Sequence, residues 1–218
     1  LNSKLQEPLD ITRAKKTHIT NQAHRPPKRE KVATIEILRQ SSKTSNSWCE
    51  LKGIAKTIPN QEMLVNAVVL QEAKDSSEIE NIITTQDELY KALATNTKQP
   101  TQVKEVINYR SAIFSGFELI KKQGFLKLKD IETIQKTIIE NNAGIRSVAG
   151  TVLKNDKTGE TVYTPPQEKD EILNLLGNFL EHFNVKQNDL NPLINLAILH
   201  YQFESIHPFY DGNGRAGR

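Results

Sequence analysis

From Val32 onward, apolar residues recur at three- and four-residue intervals along most of the chain, a period that commits the polypeptide to amphipathic helices. Val32, Ile35 and Leu38, then Trp48, Leu51, Ala55 and Ile58, follow it as far as Pro59-Asn60. The polar run Gln40–Ser47 between them is either an exposed stretch or a break, and Trp48 and Cys49 are expected in the core. Met63, Ala67 and Leu70 open another helix, followed by Ile79, Ile82 and Ile83. Further helices are expected over 86–95 and 101–122, the second with Val103, Ile107, Phe114, Phe117 and Ile120 on its apolar face and Gly124 as its stop. Leu128, Ile131, Ile134 and Ile138 mark the next. The clearest stripe is Ile172, Leu175, Leu176, Phe179, Leu180 and Phe183. After Pro192, an apolar helix over about 193–204 leads into His207.

The helical period fails once. Thr151-Val152-Leu153 and Thr161-Val162-Tyr163 are short β-prone pieces with Asn155-Asp156-Lys157-Thr158-Gly159 between them, which predicts a small hairpin with a polar turn. The expected fold class is therefore all-α with one inserted β-hairpin. Residues 1–30 contain Pro26-Pro27 and little periodicity, so they are expected to be an extended lead-in. Residues 31–99 form a helical N-terminal region, and residues 100–218 a second unit that contains the hairpin.

Composition narrows the function classes. No run of 18 apolar residues exists in the 218, so no membrane-spanning helix is expected. Cys49 is the single cysteine, which excludes an internal disulfide and makes a reducing cytoplasm the expected location. The net charge of +3 decides little. Seven basic residues do lie between Arg13 and Lys31 against Glu30 alone, but no aromatic residues are interleaved, so a solvated tail is favoured over a nucleic-acid arm.

The last twelve residues carry the chemistry: His207-Pro208-Phe209-Tyr210-Asp211-Gly212-Asn213-Gly214-Arg215-Ala216-Gly217-Arg218. Glycines that reach φ > 0 can turn backbone N–H groups inward as an anion nest. Arg215 and Arg218, three residues apart, share a helix face and can fork onto phosphate oxygens. Asp211 is a hard oxygen ligand of the kind that holds Mg²⁺ beside nucleotide phosphates. His207 can take a proton near neutral pH. Any one of these alone would be unremarkable; their joint spacing points to phosphate chemistry.

This segment resembles the HxFx(D/E)GNGRxxR motif of Fic domain proteins at every specified position. The resemblance implies nucleotidyl transfer: AMP moves from ATP to a hydroxyl of a target protein, which can be the chain itself, and pyrophosphate leaves. It assigns His207 as general base, Asp211 as Mg²⁺ ligand, Asn213 with Gly212 and Gly214 as the anion hole, and Arg215 and Arg218 as phosphate-binding residues. Ala216 and Gly217 lie within the same phosphate-binding stretch. Because the sequence stops on the last motif residue, a longer protein is expected.

Two further segments gain meaning from the resemblance. Ser76 and Glu80 are four residues apart and project from one helix face, and with Asn81 they fit the family's inhibitory pattern (S/T)xxxE(G/N). In the class that carries this pattern N-terminal to the core, its Glu pairs with the second motif arginine, here Arg218. The hairpin with Thr151, Val152, Leu153, Thr161, Val162 and Tyr163 resembles the family's flap, on which a target segment adds as a strand. The resulting expectation is an adenylyltransferase restrained by Glu80, with ATP and a hydroxyl-bearing target protein as partners. AMP removal, or binding without turnover, stands as the alternative, and homo-oligomer formation stays open. His200 and Glu204 share a helix face but are expected to be a helix-internal pair rather than a metal site.

Overall fold

The computed structural model describes residues 25–27, 29–95, 98–155, 157–185 and 190–218, so the lead-in expected over 1–30 lies largely outside the described residues. The elements are α1 (Arg29–Val32), α2 (Ile35–Ala55), α3 (Gln61–Ile79), α4 (Gln86–Ala94), α5 (Thr101–Gln123), α6 (Leu128–Ile139), β1 (Leu153–Lys154), β2 (Thr161–Tyr163), α7 (Lys169–Asn184), α8 (Pro192–Ile206) and α9 (Asn213–Gly217). The fold is all-α with one two-stranded antiparallel hairpin, as its periodicity implies.

Local sequence explains the helix ends. Thr85 and Glu88 form a reciprocal box at the start of α4: the Glu88 N–H donates to Thr85 Oγ1 at 3.3 Å and the Thr85 N–H to Glu88 Oε2 at 2.8 Å. Gly124 ends α5 in the left-handed region (φ 77°), donating to the Ile120 carbonyl at 2.7 Å. Asn191 caps α8, and Pro192 follows at its first position, where a missing N–H costs nothing.

Two apolar clusters form the core. One joins Leu70 and Ala73 of α3, Leu89 of α4, Val103, Val106, Tyr109 and Ala112 of α5, and Ile138 of α6. The other joins Leu126, Ile131 and Ile145 to Ile172, Leu175, Leu176 and Phe179 of α7, with Phe203, Ile206 and Phe209 from the C-terminal segment. Ala216 of α9 packs against both clusters. A five-residue helix is not stable alone, so this seam between the clusters is what fixes the motif arginines in space.

Two expectations need correction. First, α2 runs unbroken through Gln40–Ser47 and buries none of its residues: Trp48 is 63% exposed and Cys49 is exposed as well. The polar run separates the apolar positions at either end of α2, so they never form one stripe for a core to accept. Asn191 Nδ2 donates to Ser45 Oγ at 3.2 Å and links α2 to the start of α8. Second, β1 begins at Leu153, leaving Thr151 and Val152 outside the strand. The Thr151 carbonyl instead accepts from Gln167 Nε2 at 3.0 Å, while the Gly150 N–H donates to Gln167 Oε1 at 2.7 Å. Leu153 pairs with Tyr163 and Lys154 with Thr161, so the register shifts by one at Val162, a bulge in so short a ladder. The polar turn is closed by Asn155, whose Oδ1 accepts from the N–H groups of Lys157 (2.9 Å) and Thr158 (3.2 Å).

Candidate active site

The site is built where α8 ends. His207 caps that helix in the left-handed region (φ 49°, ψ 60°) and donates its N–H to the Phe203 carbonyl at 3.0 Å. Arg146, fully buried, reaches this turn from the segment before β1. Its Nε donates to the His207 carbonyl at 2.6 Å and its Nη2 to the Ile206 carbonyl at 3.1 Å. The next residues along, Ile145 and Phe209, form an isolated antiparallel bridge. Burial pushes the His207 imidazole below its ordinary proton affinity, the neighbouring Arg146 charge adds to this, and the main chain of Glu204 pulls the other way. The imidazole therefore favours its neutral form near pH 7, with one ring nitrogen protonated and the other open as an acceptor.

The loop that follows is closed by its own side chains. Asn213 Oδ1 accepts from the Phe209 N–H and Asn213 Nδ2 donates to the Phe209 carbonyl, both at 2.8 Å. The side chain assigned to an anion hole is thus buried and occupied in shaping the loop. Gly212 is required twice over. Its φ is 76°, and a Cβ there would lie 2.7 Å from Ile139. Gln135 Nε2 donates to the Asp211 carbonyl at 3.2 Å, and Asp211 Oδ1 accepts from the Gly212 N–H at 2.7 Å. The Tyr210 hydroxyl accepts from the N–H groups of Ser147 (2.9 Å) and Val148 (3.2 Å), joining the loop to the root of the hairpin.

Glu80 comes to this loop from the end of α3. It is the C-terminal cap of that helix, and Asn81 beyond it takes φ 61°, a conformation that Asn and Gly adopt at low cost. Glu80 Oε2 accepts from Arg215 Nε at 2.7 Å, and Glu80 Oε1 accepts from Arg218 Nη2 at 2.9 Å. The resemblance paired Glu80 with Arg218 alone; in the structure one carboxylate takes both arginines. Ser76 accepts from Arg218 twice, at its Oγ from Nε and at its carbonyl from Nη2, the latter at 3.1 Å. Gly214 makes room for this arrangement, since a Cβ there would sit 2.5 Å from Glu80 Oε1 and within 3.2 Å of the Arg218 guanidinium.

Three roles were not found by sequence reasoning. Glu105 Oε2 accepts from Arg215 Nη1 at 3.0 Å, so the nearly buried Arg215 bridges two acids. The signal available was only a charge set between Val103 and Val106 at the edge of an apolar stripe. Arg146 is the second, a lone basic residue with no period around it. The third is the pair on α8. His200 Nδ1 lies 3.1 Å from the Gly217 carbonyl, which can only accept, so that nitrogen carries a proton. A Cβ at Gly217 would collide with Glu204 and with Phe203. His200 thereby ties α8 to the end of α9, and it also interacts electrostatically with Glu204 on its own helix. Among the described residues, no group of three or more His, Cys, Asp or Glu could hold a metal ion.

The structure thus brings together His207, the loop 211–218 and Ser76, Glu80 and Asn81. The hairpin stands beside them with mixed orientation. Val162 and Thr161 are exposed, whereas the Tyr163 hydroxyl donates to the Ser205 carbonyl at 2.8 Å and burial pushes its pKa up to about 12. Tyr163 anchors the hairpin to α8.

These features coincide with known proteins. A family model described as Fic/DOC family N-terminal matches residues 38–118, and one described as Fic/DOC family matches residues 125–218. The chain belongs to the Fic/DOC family. Its curated relatives include the protein adenylyltransferase Fic of Aedes aegypti, 28% identical over 58% of this chain and 25% of the relative, and that of Drosophila grimshawi, 31% identical over 43% and 19%. The chain matches about a quarter or less of the length of these relatives. Among solved structures, a Fic domain containing signaling protein from Bacteroides thetaiotaomicron superposes with TM-score 0.63 at 18% identity, covering 81% of this chain and 68% of that one. A Fic family protein from Desulfovibrio desulfuricans gives 0.58 at 22% identity, covering 84% and 54%. Among the described residues, no helix is long and apolar enough to cross a membrane.

Proposed function

We propose that this chain carries a protein adenylyltransferase site, moving AMP from ATP onto a Ser, Thr or Tyr hydroxyl of a target protein, and that Glu80 restrains it. The observation that carries this reading is the Glu80 carboxylate held between Arg215 and Arg218 over Gly214. Two guanidiniums converging on one anion form the donor set that phosphate oxygens also require. The relatives named adenylyltransferase support the same reaction class.

In the transfer, the target oxygen attacks the α-phosphorus in line. A new P–O bond forms as the bond to the bridging oxygen breaks, and pyrophosphate departs with that electron pair. His207 receives the hydroxyl proton, a task its neutral state suits. Asp211 would hold the Mg²⁺ that accompanies ATP, and its single carboxylate fits an ion shared with phosphates rather than a protein cage. When bound, that ion supplies charge neutralisation at the phosphates. The hairpin edge offers main-chain groups to which a target segment can add as a strand. The protein's own share is positioning and electrostatics.

Incubation with ATP and Mg²⁺ followed by intact mass spectrometry tests this. An AMP adduct on the protein or its target, absent from His207→Ala, is expected. An equal adduct on that variant removes the base role. Loss of AMP from a pre-modified protein would favour removal over transfer, and nucleotide binding with neither would favour a binding module.

A further inference from the structure

We propose that Arg146 is the positioning residue for His207: one buried side chain and its own N–H occupy three successive carbonyls and so impose the turn from which the imidazole projects. The inference rests on the proposed role of His207 as general base.

The last carbonyls of a helix have no partner within it. At the end of α8 those groups face a dry core, because Ile206 and Phe209 are both fully buried. Arg146 supplies what water cannot. Its Nη2 donates to the Ile206 carbonyl at 3.1 Å, its Nε to the His207 carbonyl at 2.6 Å, and its backbone N–H to the Pro208 carbonyl at 2.9 Å. A planar guanidinium can serve two carbonyls in fixed geometry, which a lysine ammonium does less rigidly. His207 is left with φ 49° and ψ 60°, a conformation costly for a side-chain-bearing residue unless its surroundings enforce it. Arg146 is the element that enforces it.

Its charge has a second consequence. Arg146 forms no ion pair among the described residues, and its Nη1 is buried with no hydrogen-bond partner. Burial acts on it most, and the phenols of Tyr210 in the motif loop and Tyr163 on β2 act the other way. On His207, burial has the largest effect, Arg146 adds to it and the Glu204 main chain of α8 opposes it. An unneutralised guanidinium beside the imidazole opposes a second positive charge there. Geometry and charge thus act on the same side chain from one source.

Arg146→Met and Arg146→Lys separate the two effects. The first readout is an NMR titration of the His207 ring in this chain, which needs no nucleotide. In Arg146→Met, His207 should titrate higher, yet still below the ordinary imidazole value because its burial remains. In Arg146→Lys, which keeps charge but not the fork, it should stay low. The second readout is transfer from ATP in a Glu80→Gly background. Loss of placement should lower the rate by about 100-fold in the Met variant, with KM for ATP unchanged. The Lys variant should fall between Met and Arg. Unchanged ring titration and unchanged rate in the Met variant overturn the proposal. If that variant does not fold, a Lys variant equal in rate to Arg overturns it. Should the Arg146 protein itself transfer nothing, the adenylyltransferase reading fails, while the ring titration still decides whether Arg146 governs His207.

Discussion

Glu80 and Arg218 meet at 2.9 Å although 138 residues of chain separate them. Holding so long a loop closed requires more than the ion pair itself. The packing of Leu70 and Ala73 against α5 carries α3 into place, and the buried Ser76 ties its last turn to Arg218. A carboxylate accepting from two guanidiniums occupies donors that phosphate oxygens could also use. The contact is a tertiary tie and, under the proposed restraint, a competitor for phosphate.

Gly214 makes room for that carboxylate. A Cβ at this position would lie 2.5 Å from Glu80 Oε1 and 3.1 Å from Arg218 Nη1. Gly214→Ala should destabilise the chain chiefly by forcing the Glu80 carboxylate out. The same substitution in a Glu80→Gly background should then cost less. A double-mutant cycle from thermal or denaturant unfolding should return a coupling of about 0.5–3 kcal/mol between the two positions. Strict additivity would show that Gly214 is glycine for another reason.

Asn213 closes the motif loop with two buried hydrogen bonds to Phe209. Asn213→Ala leaves a main-chain donor and acceptor without partners, at about 1–3 kcal/mol each. The expected result is a stability loss of at least about 2 kcal/mol, read from the denaturant midpoint, together with loss of transfer. A variant of native stability would mean that the loop holds its shape without this side chain.

His207 confers a pH dependence of defined sign. Its proton affinity is lowered in the folded chain by burial and by Arg146. The unfolded chain therefore binds more protons at this residue below the ordinary value of about 6.5. The corresponding stability is present above that value and is lost as pH falls through the folded-state value. Replacing His207 by Ala should flatten the drop in Tm on acidification across this window. The acid limb of the transfer rate should likewise lie below the ordinary imidazole value. An acid limb at or above it would contradict a buried neutral base.

The hairpin carries the target-facing prediction. Gln167 grips Gly150 and Thr151 just ahead of β1, so it sets where the strand begins. Gln167→Ala should lower labelling of an external target several-fold while leaving ATP affinity unchanged, measured by titration calorimetry alongside a labelling assay. Equal labelling would remove the hairpin from target docking.

Helices were legible because their apolar spacing is local: the stripe from Ile172 to Phe183 and the Gly124 stop both lie where the period puts them. Trp48 shows the limit. Helical spacing states which face is apolar, not whether anything covers it, and α2 buries none of its residues. The hairpin was legible as a break in period, but its start depended on Gln167, sixteen residues from Thr151. The motif residues His207 to Arg218 were readable because their spacing is unusual. Glu105 and Arg146 were not, since their roles come from contacts 110 and 61 residues away. Glu80 was readable only through the family pattern, and its grip on Arg215 as well as Arg218 emerged from the geometry.

The most direct measurement is AMP incorporation by intact mass spectrometry, comparing the unaltered protein, Glu80→Gly, and Glu80→Gly combined with Arg218→Ala. Removing Glu80 releases one charge-assisted contact from each of two guanidiniums, about 1.5–3 kcal/mol apiece. Glu80→Gly should therefore raise incorporation at least about tenfold, and the additional loss of Arg218 should abolish the gain. Incorporation that is unchanged or lower in Glu80→Gly would contradict restraint by Glu80 and leave AMP removal as the better account of this residue.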